Sequence, residues 1–241
     1  MTKQNNGAYS VLADFYDALI SGYPYDKVID EIRKKVGAKG IDLGTGSGRI
    51  AVALADNGLS VIGVDKSSDM LEVARQNAKD KGVRVTFVCS DISKLEFTKV
   101  NFVTATCDVL NYMPSKAEVK KLFAKIYTAL ATDGWFIFDV SSSYKLKNMS
   151  GEQYFEDRDE LTYLWCNSLK GDKLTMDVAF FVPDGDVYRR IDERHVMLVL
   201  DKDYLEDALK ECGFEVKVYG HNLSKYTEKS DRIFFFARKN G

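Results

Sequence analysis

The sequence carries no surplus of either charge. Its 34 Lys and Arg stand against 36 Asp and Glu, a formal net charge of -2, so it offers no basic footprint for a phosphate backbone, whose binding depends on clustered cations. Nucleic acid is therefore not an expected partner. Long apolar runs are missing too. None approaches the roughly 18 to 20 residues of a membrane span, and the opening Met1-Thr2-Lys3-Gln4-Asn5-Asn6-Gly7 has none of the apolar stretch of a signal peptide. The expectation is a cytoplasmic protein without a membrane partner. Cysteine is sparse: Cys89, Cys107, Cys166 and Cys212 are widely separated and never form C-x-x-C, which argues against a zinc site or a disulfide framework and leaves buried free thiols as the expectation. No metal site, internal repeat or low-complexity tract is expected. What remains is a chain of 241 residues, 45% hydrophobic, long enough for one large domain or one domain with an insertion.

The most informative segment is Ile41-Asp42-Leu43-Gly44-Thr45-Gly46-Ser47-Gly48. It reads as the end of a buried strand, a glycine turn and the start of a helix. Glycines at such a turn admit positive φ and let a ligand approach the backbone, while the helix start presents unpaired N–H groups. The spacing separates cofactors: a dinucleotide fingerprint reads G-x-G-x-x-G, whereas Gly44, Gly46 and Gly48 read G-x-G-x-G with Asp42 two positions before the first glycine. In this the segment resembles the first motif of class I S-adenosylmethionine-dependent methyltransferases. A carboxylate there suits a cofactor with a sulfonium, an amino group and no phosphate better than it suits a pyrophosphate.

From Lys39 onward short apolar runs alternate with helical patterns, which predicts an α/β fold with a doubly wound parallel sheet. Strands are expected at Ile41 to Leu43, Ser60 to Val64, Val83 to Cys89, Asn101 to Cys107 and, after a turn at Asp133-Gly134, Trp135 to Val140. Ser67 or Ser68 is expected to cap one intervening helix, and Ser115 with Glu118 forms a capping box for another. Between about Gly151 and Leu200 the pattern becomes antiparallel, with strands at Leu161 to Leu169, Leu174 to Val182 and Val187 to Leu200 joined by turns at Lys170-Gly171-Asp172-Lys173 and Pro183-Asp184-Gly185-Asp186. A helix from Tyr204 to Cys212 and strands at Phe214 to Tyr219 and Arg232 to Ala237 close the chain. Two final strands without a helix between them pair most easily antiparallel, which is similar to the seven-stranded methyltransferase sheet with its reversed last strand. The expected organisation is a helical cap over 1–36, a cofactor-binding domain over 37–148 and 201–241, and an inserted antiparallel lid or substrate wall over 149–200.

The resemblance implies S-adenosylmethionine as cofactor, a small-molecule methyl acceptor and a monomer or homodimer. Asp65 ends the second strand 21 residues beyond Gly44, close to the ≈ 20 expected of an acid that binds ribose hydroxyls. It and its neighbour Lys66 are expected at the cofactor with Thr45, and Met70 either lies on the adenine or fills core. Asp91 and Ile92 follow the third strand, where the resemblance implies an acceptor for the adenine amino group; a turn aspartate is the alternative. Thr106-Cys107-Asp108-Val109-Leu110-Asn111-Tyr112 leaves the fourth strand without the Asn-Pro-Pro-Tyr signature of enzymes methylating planar nitrogens. Asp108 and Asn111 are candidates for holding either the cofactor's methionyl end or the acceptor, Cys107 is a candidate for the cofactor and Tyr112 for a catalytic wall of the site; ordinary loop packing is the other reading. Tyr9, Phe15, Tyr16, Asp17 and Tyr25 form an aromatic cluster that either covers the cofactor, with Tyr16-Asp17 resembling the entry pair of related enzymes, or caps the sheet. His195 shares a strand face with Glu193 and Met197 and either accepts a proton from the acceptor or is structural. Two rival functions are a protein that binds the cofactor without catalysis and a nicotinamide-dependent oxidoreductase; the glycine spacing, the reversed ending and the lack of a proton-relay pair disfavour the latter.

Overall fold

The computed structural model describes residues 22–158 and 161–240. After helix α1 (Tyr25–Arg33) come β1 (Lys39–Leu43), α2 (Arg49–Asp56), β2 (Ser60–Asp65), α3 (Ser68–Asp80), β3 (Thr86–Cys89), β4 (Val100–Ala105), α4 (Lys116–Ala129) and β5 (Leu130–Ser141). The chain continues through α5 (Ser143–Asn148), β6 (Gln153–Arg158), β7 (Leu161–Lys170), β8 (Lys173–Asp184), β9 (Val187–Leu198), α6 (Lys202–Glu211), β10 (Phe214–Tyr219) and β11 (Arg232–Lys239). Seven strands form one sheet in the order β10-β11-β5-β4-β1-β2-β3, and β6 to β9 form a second, four-stranded sheet.

The large sheet is parallel from β5 to β3, and β11 runs antiparallel to both β5 and β10. This is the class I methyltransferase architecture with its reversed last strand. Burial on both faces explains the run Ile233-Phe234-Phe235-Phe236-Ala237. Phe235 stacks on Phe138, rings 4.7 Å apart, on the side of α4 and α6, while Phe234 and Phe236 join Val28 and Ile32 of α1 and Ile50 and Leu54 of α2 on the other.

Local chemistry sets the element ends. The Met70 amide donates to Ser67 Oγ, which settles the cap of α3 on Ser67, and its buried stripe is Met70, Leu71, Ala74 and Ala78. The Glu118 amide donates to Ser115 Oγ, but the Glu118 carboxylate pairs with Lys121 at 2.7 Å, so half of the expected capping box forms. The expected turn at Asp133-Gly134 exists as a bulge inside a longer β5: Val100 pairs with Leu130 but Phe102 with Trp135, and Asp133 takes φ 62°.

The second sheet closes both expected hairpins, with Lys170 opposite Lys173 and Asp184 opposite Val187. Its first strand, β6, and the short helix α5 before it are additions to the expected elements; β6 escapes notice because its face alternation is weak and Phe155 and Tyr154 are exposed. The thiols depart from expectation as well: Cys89 and Cys166 are exposed, and Cys107 and Cys212 half-buried. β3 is the last strand of its sheet, with no neighbour beyond Cys89, and Cys166 shares with Leu164 the outward face of β7. Among the described residues no helix is long and apolar enough to cross a membrane.

Candidate active site

The site grows from the carboxyl end of β1. The chain turns through Gly44, Gly46 and Gly48 at φ 62°, 53° and 79°, conformations that cost an L side chain roughly 1 kcal/mol or more. A Cβ at Gly44 would also stand 2.3 Å from Val109 Cγ2, so no side chain fits beside that residue. Gly48 has a different job: a Cβ there would meet Ala74 Cβ at 2.9 Å, so it lets α2 approach α3 and does not line the cleft.

Beneath this turn lies Asp42, buried and accepting the hydroxyls of Thr45 and Thr104, both at 2.7 Å. Burial pushes its carboxyl up to about 6, against the two threonine bonds that lower it and Asp65, which raises it further. Asp42 and Thr45 therefore brace the turn from below and do not face the cleft, contrary to a carboxylate aimed at a sulfonium. Asp65 is the acid that does face it. Its oxygens accept the Gly46 and Ser67 amides, each at 2.9 Å, which lock the glycine turn to the start of α3.

One cavity of about 310 Å³ gathers Gly44, Gly46, Asp65, Lys66 and Met70 with Asp91, Ile92, Cys107 and Tyr112. Met70 both packs in the core and lines the cleft. Asp91 accepts the Ser93 amide and hydroxyl at 2.8 and 2.7 Å, and these bonds hold its carboxyl below the usual range. Ser90, Ser93, Val109, Met113 and Pro114 also line the cavity; each lies within two residues of one already singled out, so proximity in the chain is the signal available.

Three expected residues lie elsewhere. Asn111 is fully buried: its amide donates to the carbonyls of Ser141 at 3.2 Å and Leu198 at 2.9 Å and accepts the Ser141 amide at 3.0 Å. It ties the turn after β4 to the ends of β5 and β9 and is not on the cleft wall. Asp108 is held by the guanidinium of Arg232. His195 is buried, with Nε2 3.1 Å from Glu193 Oε2, and its ring meets Tyr112 edge-on at 6.1 Å, so it stands behind the cavity wall. Tyr9, Phe15, Tyr16 and Asp17 lie outside the described residues; Tyr25 stacks under the guanidinium of Arg49 at 3.8 Å.

A methyltransferase-domain family matches residues 41–134. A protein of Geobacillus sp. (strain WCH70), provisionally named a methyltransferase, is 36% identical across 96% of this chain and 99% of its own. The chain belongs to the S-adenosylmethionine-dependent methyltransferases. Among solved structures, an S-adenosylmethionine-dependent methyltransferase from Clostridium acetobutylicum ATCC 824 superposes with a TM-score of 0.88 at 29% identity, covering 97% of this chain and 99% of that one. The S-adenosylmethionine-bound amino pentose methyltransferase CalS10 of Micromonospora echinaspora shares the fold, with a TM-score of 0.76 at 19% identity over 97% of this chain and 99% of its own. The methyltransferase cleft fits its cofactor: it is open where side chains at Gly44 and Gly46 would fill it, and two acids line it with no phosphate-binding cluster of cations.

Proposed function

We propose that this methyltransferase moves the methyl group of S-adenosylmethionine to an N, O or S atom of a small molecule by in-line displacement. The observation that carries the proposal is the make-up of one cavity, which joins the glycine turn, Asp65 and Asp91 to an apolar end built by Tyr112, Met113 and Pro114. The first half suits an adenosyl group, the second an acceptor. In this reading Asp65 accepts the ribose hydroxyls, Asp91 beside Ile92 accepts the adenine amino group, and Met70 lies against the ring. Lys66 borders the ribose, and Gly44 and Cys107 border the remainder.

The cofactor supplies a methyl already activated on sulfur, so the chain's contribution is alignment and exclusion of water. A hydroxyl or ammonium acceptor must also lose a proton. Of the three candidates Tyr112 alone lines the cavity, and we assign its hydroxyl to accept the acceptor's hydrogen bond; His195, held by Glu193, backs its ring from behind the wall, and Asp108 is committed to Arg232. The fold shared with an amino pentose methyltransferase supports a small acceptor.

The test supplies a tritium-labelled methyl donor with panels of amino sugars, amino acids, phenols and thiols. We expect labelled product from at least one class, and a Tyr112→Phe enzyme whose kcat falls on the order of tenfold or more while the donor KM holds. Donor binding with transfer to no class would leave a cofactor-binding protein without turnover and overturn the proposal.

A further inference from the structure

The turn that follows β4 is strained. Cys107 and Asp108 are consecutive non-glycine residues in the left-handed region, at φ 59° and 67°, each costing about 1 to 3 kcal/mol unless the surroundings enforce it. Such strain points to function when it borders a ligand site, and Cys107 lines the cofactor cleft.

What enforces the turn is a buried polar cluster drawn from three adjacent strands. Asp139 on β5 is fully buried, and its carboxylate accepts the Cys107 amide at 2.9 Å and the Asp108 amide at 3.3 Å, the backbone donors on either side of the strained peptide. It also accepts the Tyr23 hydroxyl at 2.7 Å. Arg232, the first residue of β11, bonds through one nitrogen to both Asp139 and Asp108 and through the other to Asp108 Oδ2 at 3.3 Å. The Tyr23 ring lies 5.0 Å from the guanidinium. A single half-buried cation thus bridges two carboxylates, leaving a formal surplus of one negative charge; burial and that neighbouring carboxylate push the Asp139 carboxyl up, while Arg232 opposes them. Burial and Asp139 also push the Cys107 thiol up, so it stays a neutral wall.

Position tells which part of the cofactor this cluster serves. Asp65 and Asp91 end or follow β2 and β3, at one side of β1, whereas Cys107 follows β4, at its other side. With the ribose and adenine on the acids, the amino-acid end, bearing an ammonium and a carboxylate, falls to the β4 side. We propose that Asp139 and Arg232 are positioning residues that hold the 107–108 turn in the shape that receives the amino-acid end of S-adenosylmethionine. Neither lines the cleft; they act through the turn. The proposal rests on the cofactor reading and adds to it a tail-specific device.

The test is calorimetric binding of S-adenosylhomocysteine and of 5′-methylthioadenosine, which lacks the amino-acid end, to the wild type, Arg232→Lys and the milder Asp108→Asn. Lysine keeps the charge but loses the planar fork that grips Asp108 through two nitrogens while reaching Asp139. Both variants should lose affinity for S-adenosylhomocysteine, Arg232→Lys by on the order of 10- to 100-fold, the range for a lost charge-assisted bond, and both should bind methylthioadenosine as the wild type does. Equal losses for the two ligands, or no loss for either, in a folded variant would overturn the proposal. If Arg232→Lys does not fold, the same comparison on Asp108→Asn decides. A wild type that bound neither ligand would instead defeat the cofactor reading itself.

Discussion

Asp42 shows how a residue legible in the sequence can do work the sequence does not reveal. An acid two positions before a glycine turn is easy to find, but only the fold shows both its oxygens occupied by threonine hydroxyls from β4 and the turn. Its raised carboxyl gives a signed prediction. Between the ordinary 3.8 and about 6 the folded state holds a proton that the unfolded chain has released, so stability falls as pH rises through that window, by up to about 3 kcal/mol. Asp42→Asn cannot titrate. Relative to this variant, the wild type should therefore gain stability between pH 7.5 and pH 4.5 in urea unfolding; a difference independent of pH would contradict the assignment. The remaining site residues divide on the same physical ground. Asp65 ends its strand at a fixed offset from the glycines and Asp91 follows the next strand, and both placements are written in the sequence. Asp139 and Arg232 are far apart in the chain and are brought to Asp108 only by the strand order β11-β5-β4, for which no local pattern exists.

At the scale of elements, alternation and caps were readable and the exceptions have specific causes. Ser67, the two hairpin turns and the reversed β11 follow from chemistry within a few residues. β5 is longer than its apolar run because a bulge absorbs Asp133-Gly134, and β6 presents Phe155 to solvent, so neither obeys the simple period. Asn111 departs from the expected place because a polar residue after a strand points as readily into the protein as into a cleft. Its three bonds join the turn after β4 to β5 and to β9, the last strand of the inserted sheet. Asn111→Ala leaves the Ser141 amide and two carbonyls buried without that partner, and should cost about 2 to 4 kcal/mol in denaturant unfolding. A loss under about 0.5 kcal/mol, the scale of a surface change, would show that the junction is not held there.

The whole molecule is a cofactor sheet with a second sheet set beside its ligand-binding edge. A doubly wound sheet with a reversed last strand follows from the alternation of elements and the closing pair of strands; the order of its strands is known only from the fold. The depth of His195 and Glu193 behind Tyr112 depends on how the two sheets meet, which is a property of packing and not of pattern. The cavity itself is built from the turns that follow β1 to β4 and runs from Asp91 to Pro114. We hold that this space takes an adenosyl ligand and excludes a dinucleotide. The deciding experiment is calorimetric titration of the wild type and Asp65→Ala with S-adenosylmethionine, S-adenosylhomocysteine and NAD. We predict micromolar binding of both adenosyl ligands, no binding of NAD, and loss of on the order of tenfold or more in the variant; binding of NAD, or adenosyl affinity untouched by Asp65→Ala, would contradict the account.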